Sequence, residues 1–243
     1  MFVLTAETIH LWRLELDAQH AECDVKLLDA AERQRAGRFR FDHHRRRFIT
    51  HRAWLRRVLA LYLDCRPATL AFGLVANDKP VLAQGHGLSD LQFNLSHSDK
   101  HALCAVARGA ALGVDIEQRR DIKDALAIGA RHFGARELAW LTAAGNDDER
   151  MTRFFTVWTR KEAFIKATGE GLSRALSSFD VVPEQAGPVA VREIEPGAHA
   201  WYGQSLSLDG DVAAALCSRW PQPQLRWPAL PPGHDAALRP ATR

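Results

Sequence analysis

The segment Trp158-Thr159-Arg160-Lys161-Glu162-Ala163-Phe164-Ile165-Lys166 carries a carboxylate at 162 and an ammonium at 166. In a helix the two lie one turn apart on a single face. The turn Gly169-Glu170-Gly171 then stops that helix. Upstream, Gly113-Val114-Asp115-Ile116-Glu117 alternates acids with apolar residues, so a strand would send Asp115 and Glu117 out of one side. Three carboxylates and a lysine on two rigid elements suit a magnesium-assisted reaction at a phosphate. The apolar neighbours Val114 and Ile116 strengthen that reading. Unpaired carboxylates beside a core strand are costly, and a hard divalent cation removes the cost.

Each fragment alone has an ordinary explanation. An Asp-x-Glu pair is common on solvated strand ends. A Glu-Lys pair at i, i+4 contributes only about 0.2–0.5 kcal/mol. A lone histidine such as His97 more often serves structure than chemistry. Trp158, Lys161 and the glycine turn beside Glu162 argue against coincidence. Phe93-Asn94-Leu95-Ser96-His97-Ser98 reads as a polar turn lining a site; no nucleophile elbow accompanies the Ser-His-Ser. Lys79, in the turn Asn77-Asp78-Lys79-Pro80, could reach a phosphate.

The elements that must carry these groups follow from periodicity and punctuation. Residues 8–17 read as a strand, and Asp29 caps a helix from Ala30. Residues 45–63 read as a helix with Phe48, Leu55, Leu59 and Tyr62 on one face, ended by Cys65-Arg66-Pro67. A strand is expected over 69–75. Residues 102–107 and 111–117 read as two strands joined in a hairpin by Arg108-Gly109-Ala110. Helices follow over 124–133, 135–144 and 148–168, the last with Phe154, Phe155, Trp158 and Ile165 as core candidates. Strands are expected over 178–182, 189–194, 200–208 and 211–218. Mixed elements without strict β-α-β alternation indicate an α+β fold. The pattern restarts midway, which predicts two similar α+β halves in a pseudo-two-fold arrangement with the active site in the cleft between them. The halves would be residues 1–112 and 113–220, followed by a proline-rich, mostly disordered tail over 221–243.

A chain of 243 residues with 47% hydrophobic and 25% charged content can bury a sizeable core. It has no apolar run long enough to span a membrane and no secretory N-terminus. Its four cysteines are scattered without metal or redox spacing, which fits reduced thiols in a cytoplasm. The net charge of +3 conceals a block over residues 33–57 with ten arginines and one acid, Asp42. Such a block attracts polyanions: nucleic acid, a phosphorylated cofactor or an acidic protein.

The three segments 93–98, 113–117 and 158–166, in this order, resemble the 4′-phosphopantetheinyl transferases. The chain is most similar to their longer, monomeric type, the type of the surfactin-synthetase activating enzyme, and the resemblance covers residues 30–218. It implies coenzyme A as co-substrate in the cleft, with Asp115, Glu117 and Glu162 holding Mg²⁺ on its pyrophosphate. It implies His97 and Arg47 at the 3′-phosphate end, Lys79 and Pro80 near the adenine, and Lys166 at the pyrophosphate. It further implies that Ser96 and Asp115 complete the coenzyme A set and that Glu162 and Lys166 are the catalytic pair. The acceptor would be a serine of an acyl or peptidyl carrier protein, and the arginine block would steer that acidic partner. A monomer is expected, with neither nucleic acid nor membrane as partner. The chain departs from the family pattern at Glu32, Arg33 and Arg35, where lysines are common, so no phosphate-binding role is carried to that neighbourhood.

Overall fold

The computed structural model describes residues 2–17, 24–74, 80–83, 90–181, 183–185, 187–193 and 200–228. In chain order the first elements are β1 (Thr8–Glu15), α1 (Ala30–Gly37), α2 (Asp42–Leu63), β2 (Phe72–Leu74), β3 (Pro80–Leu82), β4 (Leu91–Ser98), β5 (His101–Arg108) and β6 (Leu112–Gln118). Then come α3 (Ala125–His132), α4 (Ala135–Thr142), α5 (Asp147–Thr168), β7 (Phe179–Asp180), β8 (Val189–Ala190) and β9 (Arg192–Glu193). The chain closes with β10 (Tyr202–Leu206), β11 (Val212–Ser218) and β12 (Gln224–Arg226).

Two four-stranded sheets, ordered β12-β1-β5-β4 and β6-β11-β10-β8, form the centre. Period-two alternation sorts their side chains. Trp12, Leu14, Ala102, Cys104 and Val106 pack on Trp54, Leu55, Val58, Leu59 and Tyr62 of α2. The alternate residues Ile9, Leu11, Leu103 and Ala105 meet Leu112, Val114, Ile116, Ala214 and Leu216 of the second sheet. On that sheet's far side Ala215 and Cys217 pack on Phe154, Phe155, Ala163 and Phe164 of α5. Each half is thus a sheet with one long helix, as expected, and the two halves join through their sheets. In β6 the odd positions Gly113, Asp115 and Glu117 point away from the inter-sheet core, because Leu112, Val114 and Ile116 fill it.

Several helix ends are chemically marked. Asp29 and Glu32 form a reciprocal capping box on α1. Asn146 caps α5 through the amide of Glu149. Gly169, at φ 81°, ends α5 in the left-handed conformation.

Several expectations change. The hairpin between residues 102–107 and 111–117 does not form. β5 already has β1 on one edge and β4 on the other, so β6 cannot pair with it. Gly109, at φ 74°, instead turns the chain out of one sheet into the other. β4 and β5 form the actual hairpin. The strand expected over 69–75 starts only at Phe72, because Pro67 opens a short 3₁₀ turn first; residue 75 lies outside the described residues. The tail is not wholly irregular: Gln224–Arg226 add in parallel to the edge of β1, which returns the chain to the first sheet.

The arginine block also divides. Arg56 is fully buried, bonded to Asp29 and Glu32 and to the Leu70 carbonyl. Arg52 pairs with Glu32 and Arg57 with Asp24. Arg47 pairs with Asp17 and Asp99. These four face acids supplied from outside the block, so they fix α2 rather than present charge. Glu32, a departure from the family pattern, is the buried acceptor of two of them. Arg35, Arg38, Arg40, Arg45 and Arg46 stay exposed.

Candidate active site

β4 and β6 are the facing edges of the two sheets, and polar side chains of β4 bridge the seam. Asn94 Oδ1 accepts from the Val114 amide at 2.9 Å, and Ser98 Oγ accepts from the Gln118 amide at 3.1 Å. Ser96 Oγ donates to Asp115 Oδ1 at 2.8 Å, and Ser98 Oγ donates to Glu117. The alternation Asn94-x-Ser96-x-Ser98 puts these three groups on one face of β4.

α5 crosses the other side of β6. Lys166 Nζ reaches Asp115 Oδ1 at 2.7 Å and Ser96 Oγ at 2.8 Å. Three segments distant in sequence therefore meet at one carboxylate oxygen. Asp115 is buried, and its Oδ2 has no hydrogen-bond partner. Glu162 lies one turn before Lys166. Its carboxyl is pushed up to about 7 by burial first and then by the charges of Asp115 and Glu117, with Lys166 opposing. Glu117 is also held above its usual value, by burial and then Asp115, against its bond from Ser98. Carboxylates that resist ionisation in a cluster of this kind mark a candidate functional site. Among the described residues, no group of three or more His, Cys, Asp or Glu is placed so that it could hold a metal ion as it stands.

What allows this approach is Gly113. A Cβ there would overlap the Ala163 carbonyl oxygen and the Ala167 amide nitrogen and lie 2.9 Å from the Lys166 carbonyl carbon. β6 and α5 touch backbone to backbone at Ala163, Lys166 and Ala167, beside Glu162.

On the N-terminal side His97 faces α2. Its ring lies 4.6 Å from that of His51, centroid to centroid. His51 is buried and held neutral, by desolvation first and then by His97, Arg52 and Lys166. Burial and then Lys166 lower His97 as well. Arg47 is engaged by Asp17 through two bonds of 2.7 Å and by Asp99 at 2.8 Å. Pro80 opens β3 in the small ribbon with β2, whose Phe72 and Leu82 pack on the N-terminal core. Lys79 lies outside the described residues. The structure thus brings together Ser96, His97, Asp115, Glu117, Glu162 and Lys166, gives Arg47 two aspartate partners, and leaves Pro80 in the ribbon.

Sequence reasoning passed over four contributors. Asn94, Ser98 and Gly113 stand inside the quoted motifs, where period-two alternation and a lone strand glycine were the available signals. His51 carries no sequence signal, because only the packing of α2 on β4 brings it to His97.

The buried histidine gives a pH prediction. An imidazole whose folded pKa is lowered binds no proton near pH 6 while its unfolded form does. Its contribution to stability is complete above about 6.5 and is lost as pH falls from there. The raised pKa of Glu162 acts oppositely, destabilising as pH rises from its usual value toward about 7. The net slope mixes both signs, so the diagnostic is a difference. His51→Phe should lose less unfolding free energy than wild type between pH 7.5 and 5.5 in urea titrations, by up to about 1.4 kcal/mol per pH unit. Parallel pH profiles would contradict a neutral buried His51.

Comparison with known proteins gives the family. Residues 111–217 match the 4′-phosphopantetheinyl transferase superfamily, and residues 15–108 match its N-terminal domain family. The 4′-phosphopantetheinyl transferase HetI of Nostoc sp. is 35% identical over 88% of this chain and 88% of its own. The transferase psf-1 of Bacillus pumilus is 34% identical over 78% of each chain. Sfp of Bacillus subtilis is 28% identical over 85% of this chain and 88% of its own. The two matched regions meet where β5 passes into β6, and the second contains Asp115, Glu117, Glu162 and Lys166. The chain belongs to the 4′-phosphopantetheinyl transferase superfamily and is an enzyme of that class.

Proposed function

We propose that this enzyme transfers the 4′-phosphopantetheine group of coenzyme A to a serine hydroxyl of an apo acyl or peptidyl carrier protein, releasing adenosine 3′,5′-bisphosphate. The observation that carries the reading is the meeting of Ser96, Asp115 and Lys166, from β4, β6 and α5, at bonds of 2.7–2.8 Å. Phosphoryl transfer is largely a matter of positioning and charge stabilisation, and this cluster offers both.

The residues present fit a divalent cation. Asp115 has a buried oxygen without a partner, burial and the charge of Asp115 hold both Glu117 and Glu162 above their usual values, and all the donors are hard oxygens. Asp115, Glu117 and Glu162 are the residues that would hold Mg²⁺. When bound, it supplies positive charge to the pyrophosphate oxygens and lowers the cost of charge on the leaving phosphate.

The chain's own groups do the rest. The serine oxygen forms a bond to the phosphorus that bears the pantetheine, and that phosphorus releases the bridging oxygen to the departing nucleotide. The serine proton passes to a carboxylate. Glu162, or a carboxylate of the cluster acting through a water, takes that role; a Glu162 bound to the cation would lose its near-neutral proton affinity. The Lys166 ammonium, 28% exposed beside Asp115, lies where it can stabilise charge on the leaving phosphate. Ser96, His97 and Arg47 are the coenzyme A contacts on the N-terminal side, and Lys79 and Pro80 complete the set. Arg47 would exchange part of its aspartate pairing for phosphate. Both halves of the site come from one chain, which supports a monomer.

With coenzyme A, magnesium and an apo carrier, the enzyme should release one adenosine 3′,5′-bisphosphate per carrier modified, measured by chromatography. Release of nucleotide or phosphate without carrier would point instead to a phosphohydrolase.

A further inference from the structure

Lys161 sits next to Glu162 in the motif, yet it points away from the carboxylate cluster. It is wholly buried, and so is its partner Glu137 of α4. Its ammonium bonds Glu137 Oε2 at 2.7 Å, the Leu176 carbonyl at 2.8 Å and the Phe179 carbonyl at 2.7 Å. Those three acceptors match the three N–H donors of a lysine. Glu137 is equally engaged: its Oε2 also accepts the Gly134 amide at 2.8 Å and its Oε1 the Val181 amide at 2.9 Å. One ion pair therefore ties together the start of α4, the 176–179 turn, the segment after β7, and α5.

Successive helical residues point about 100° apart, so the direction of Lys161 fixes that of Glu162 and Lys166. We infer that Lys161 is a positioning residue rather than a participant in the chemistry: anchored by Glu137, it sets the rotation of α5 that turns Glu162 and Lys166 toward Asp115. On the opposite side Gly113 admits the helix to β6, so the helix is held from two directions. Breaking the pair from one end leaves an uncompensated buried charge, whereas removing both charges is far milder.

The test combines kinetics with labelling. Its kinetic part rests on the proposed transfer reaction; its labelling part does not. Glu137→Gln, on α4 and away from the carboxylate cluster, and Lys161→Met/Glu137→Gln should each lower kcat roughly 10- to 100-fold with an unchanged KM for coenzyme A, the size expected of a small displacement of reacting groups. Two results overturn the assignment. One is a loss above about 10³-fold in Lys161→Met/Glu137→Gln that Glu137→Gln alone does not share, the size expected when a charge-stabilising group itself is removed. The other is wild-type kcat in the folded double variant, which would reduce the pair to stability alone. Reductive methylation of the native wild-type protein, mapped by mass spectrometry, applies even if both variants fail to fold. Lys161 should stay unmodified, with or without coenzyme A, while Lys166 reacts. Modification of Lys161 at the rate of Lys166, or its protection only by coenzyme A, overturns the inference. An inactive wild-type enzyme with unreactive Lys161 would count against the transfer reaction and leave the anchor standing.

Discussion

Asp115→Asn is expected to lower kcat for carrier modification by about 10³-fold or more while the protein remains folded. Asparagine matches the shape of aspartate and keeps one oxygen for Ser96, so packing beneath β6 survives. What disappears is the negative charge that meets Lys166 at 2.7 Å and raises the proton affinity of Glu162. Lys166 is partly exposed, so its lost ion pair contributes only about 1 kcal/mol to stability. At this chain length the melting temperature should then move by about 2–4 °C. The decisive comparison is steady-state kcat beside a thermal melt. A kcat within tenfold of wild type would remove Asp115 from the reaction, and a collapsed melt would make the variant uninformative about chemistry.

Gly113→Ala should be the most damaging glycine-to-alanine change among the described glycines. Most overpacked cores relax by moving side chains, at about 1–3 kcal/mol. Here the new methyl group meets backbone on three sides, at Ala163, Lys166 and Ala167, and no rotamer can yield. β6 and α5 must separate, so the cost should reach at least about 3 kcal/mol, or roughly 6–12 °C of melting temperature. The same separation carries Lys166 and Glu162 away from Asp115. Misplacement by about 1 Å can cost 10²-fold in rate, so kcat should fall at least that far even where the variant is folded. Shrinking a side chain on α5 cannot rescue it, since the obstacle is main chain. Wild-type melting and turnover in Gly113→Ala would show that the strand and helix are not held at this distance.

The chemistry-bearing residues were legible because their spacing is local. Alternation in 113–117 put Asp115 and Glu117 on one face of a strand, and the four-residue interval put Glu162 and Lys166 on one face of a helix. The core was legible for the same reason: residues such as Trp54, Leu55 and Leu59 repeat at helical period. What stayed hidden depends on which distant elements touch. Nothing within residues 102–117 reveals that β5 has both edges occupied, so a turn containing Gly109 read as a hairpin. The partners of Arg47, Arg52, Arg56 and Arg57 lie outside the arginine block, so charge density looked like surface. Glu137 stands 24 residues before Lys161 with no pattern to pair them. Gln224–Arg226 read as part of a proline-rich tail, because a strand that adds to an edge needs no alternation of its own. Motif spacing conveys the chemistry; the anchoring network that orients it is tertiary.

The most direct test of the central claim is the intact mass of an apo carrier protein after incubation with this enzyme, coenzyme A and Mg²⁺. The expected result is a rise by one phosphopantetheine group on the carrier serine, absent with EDTA and absent with Asp115→Asn. An unchanged mass for both acyl and peptidyl apo carriers, under conditions where Bacillus subtilis Sfp modifies the same samples, would contradict it.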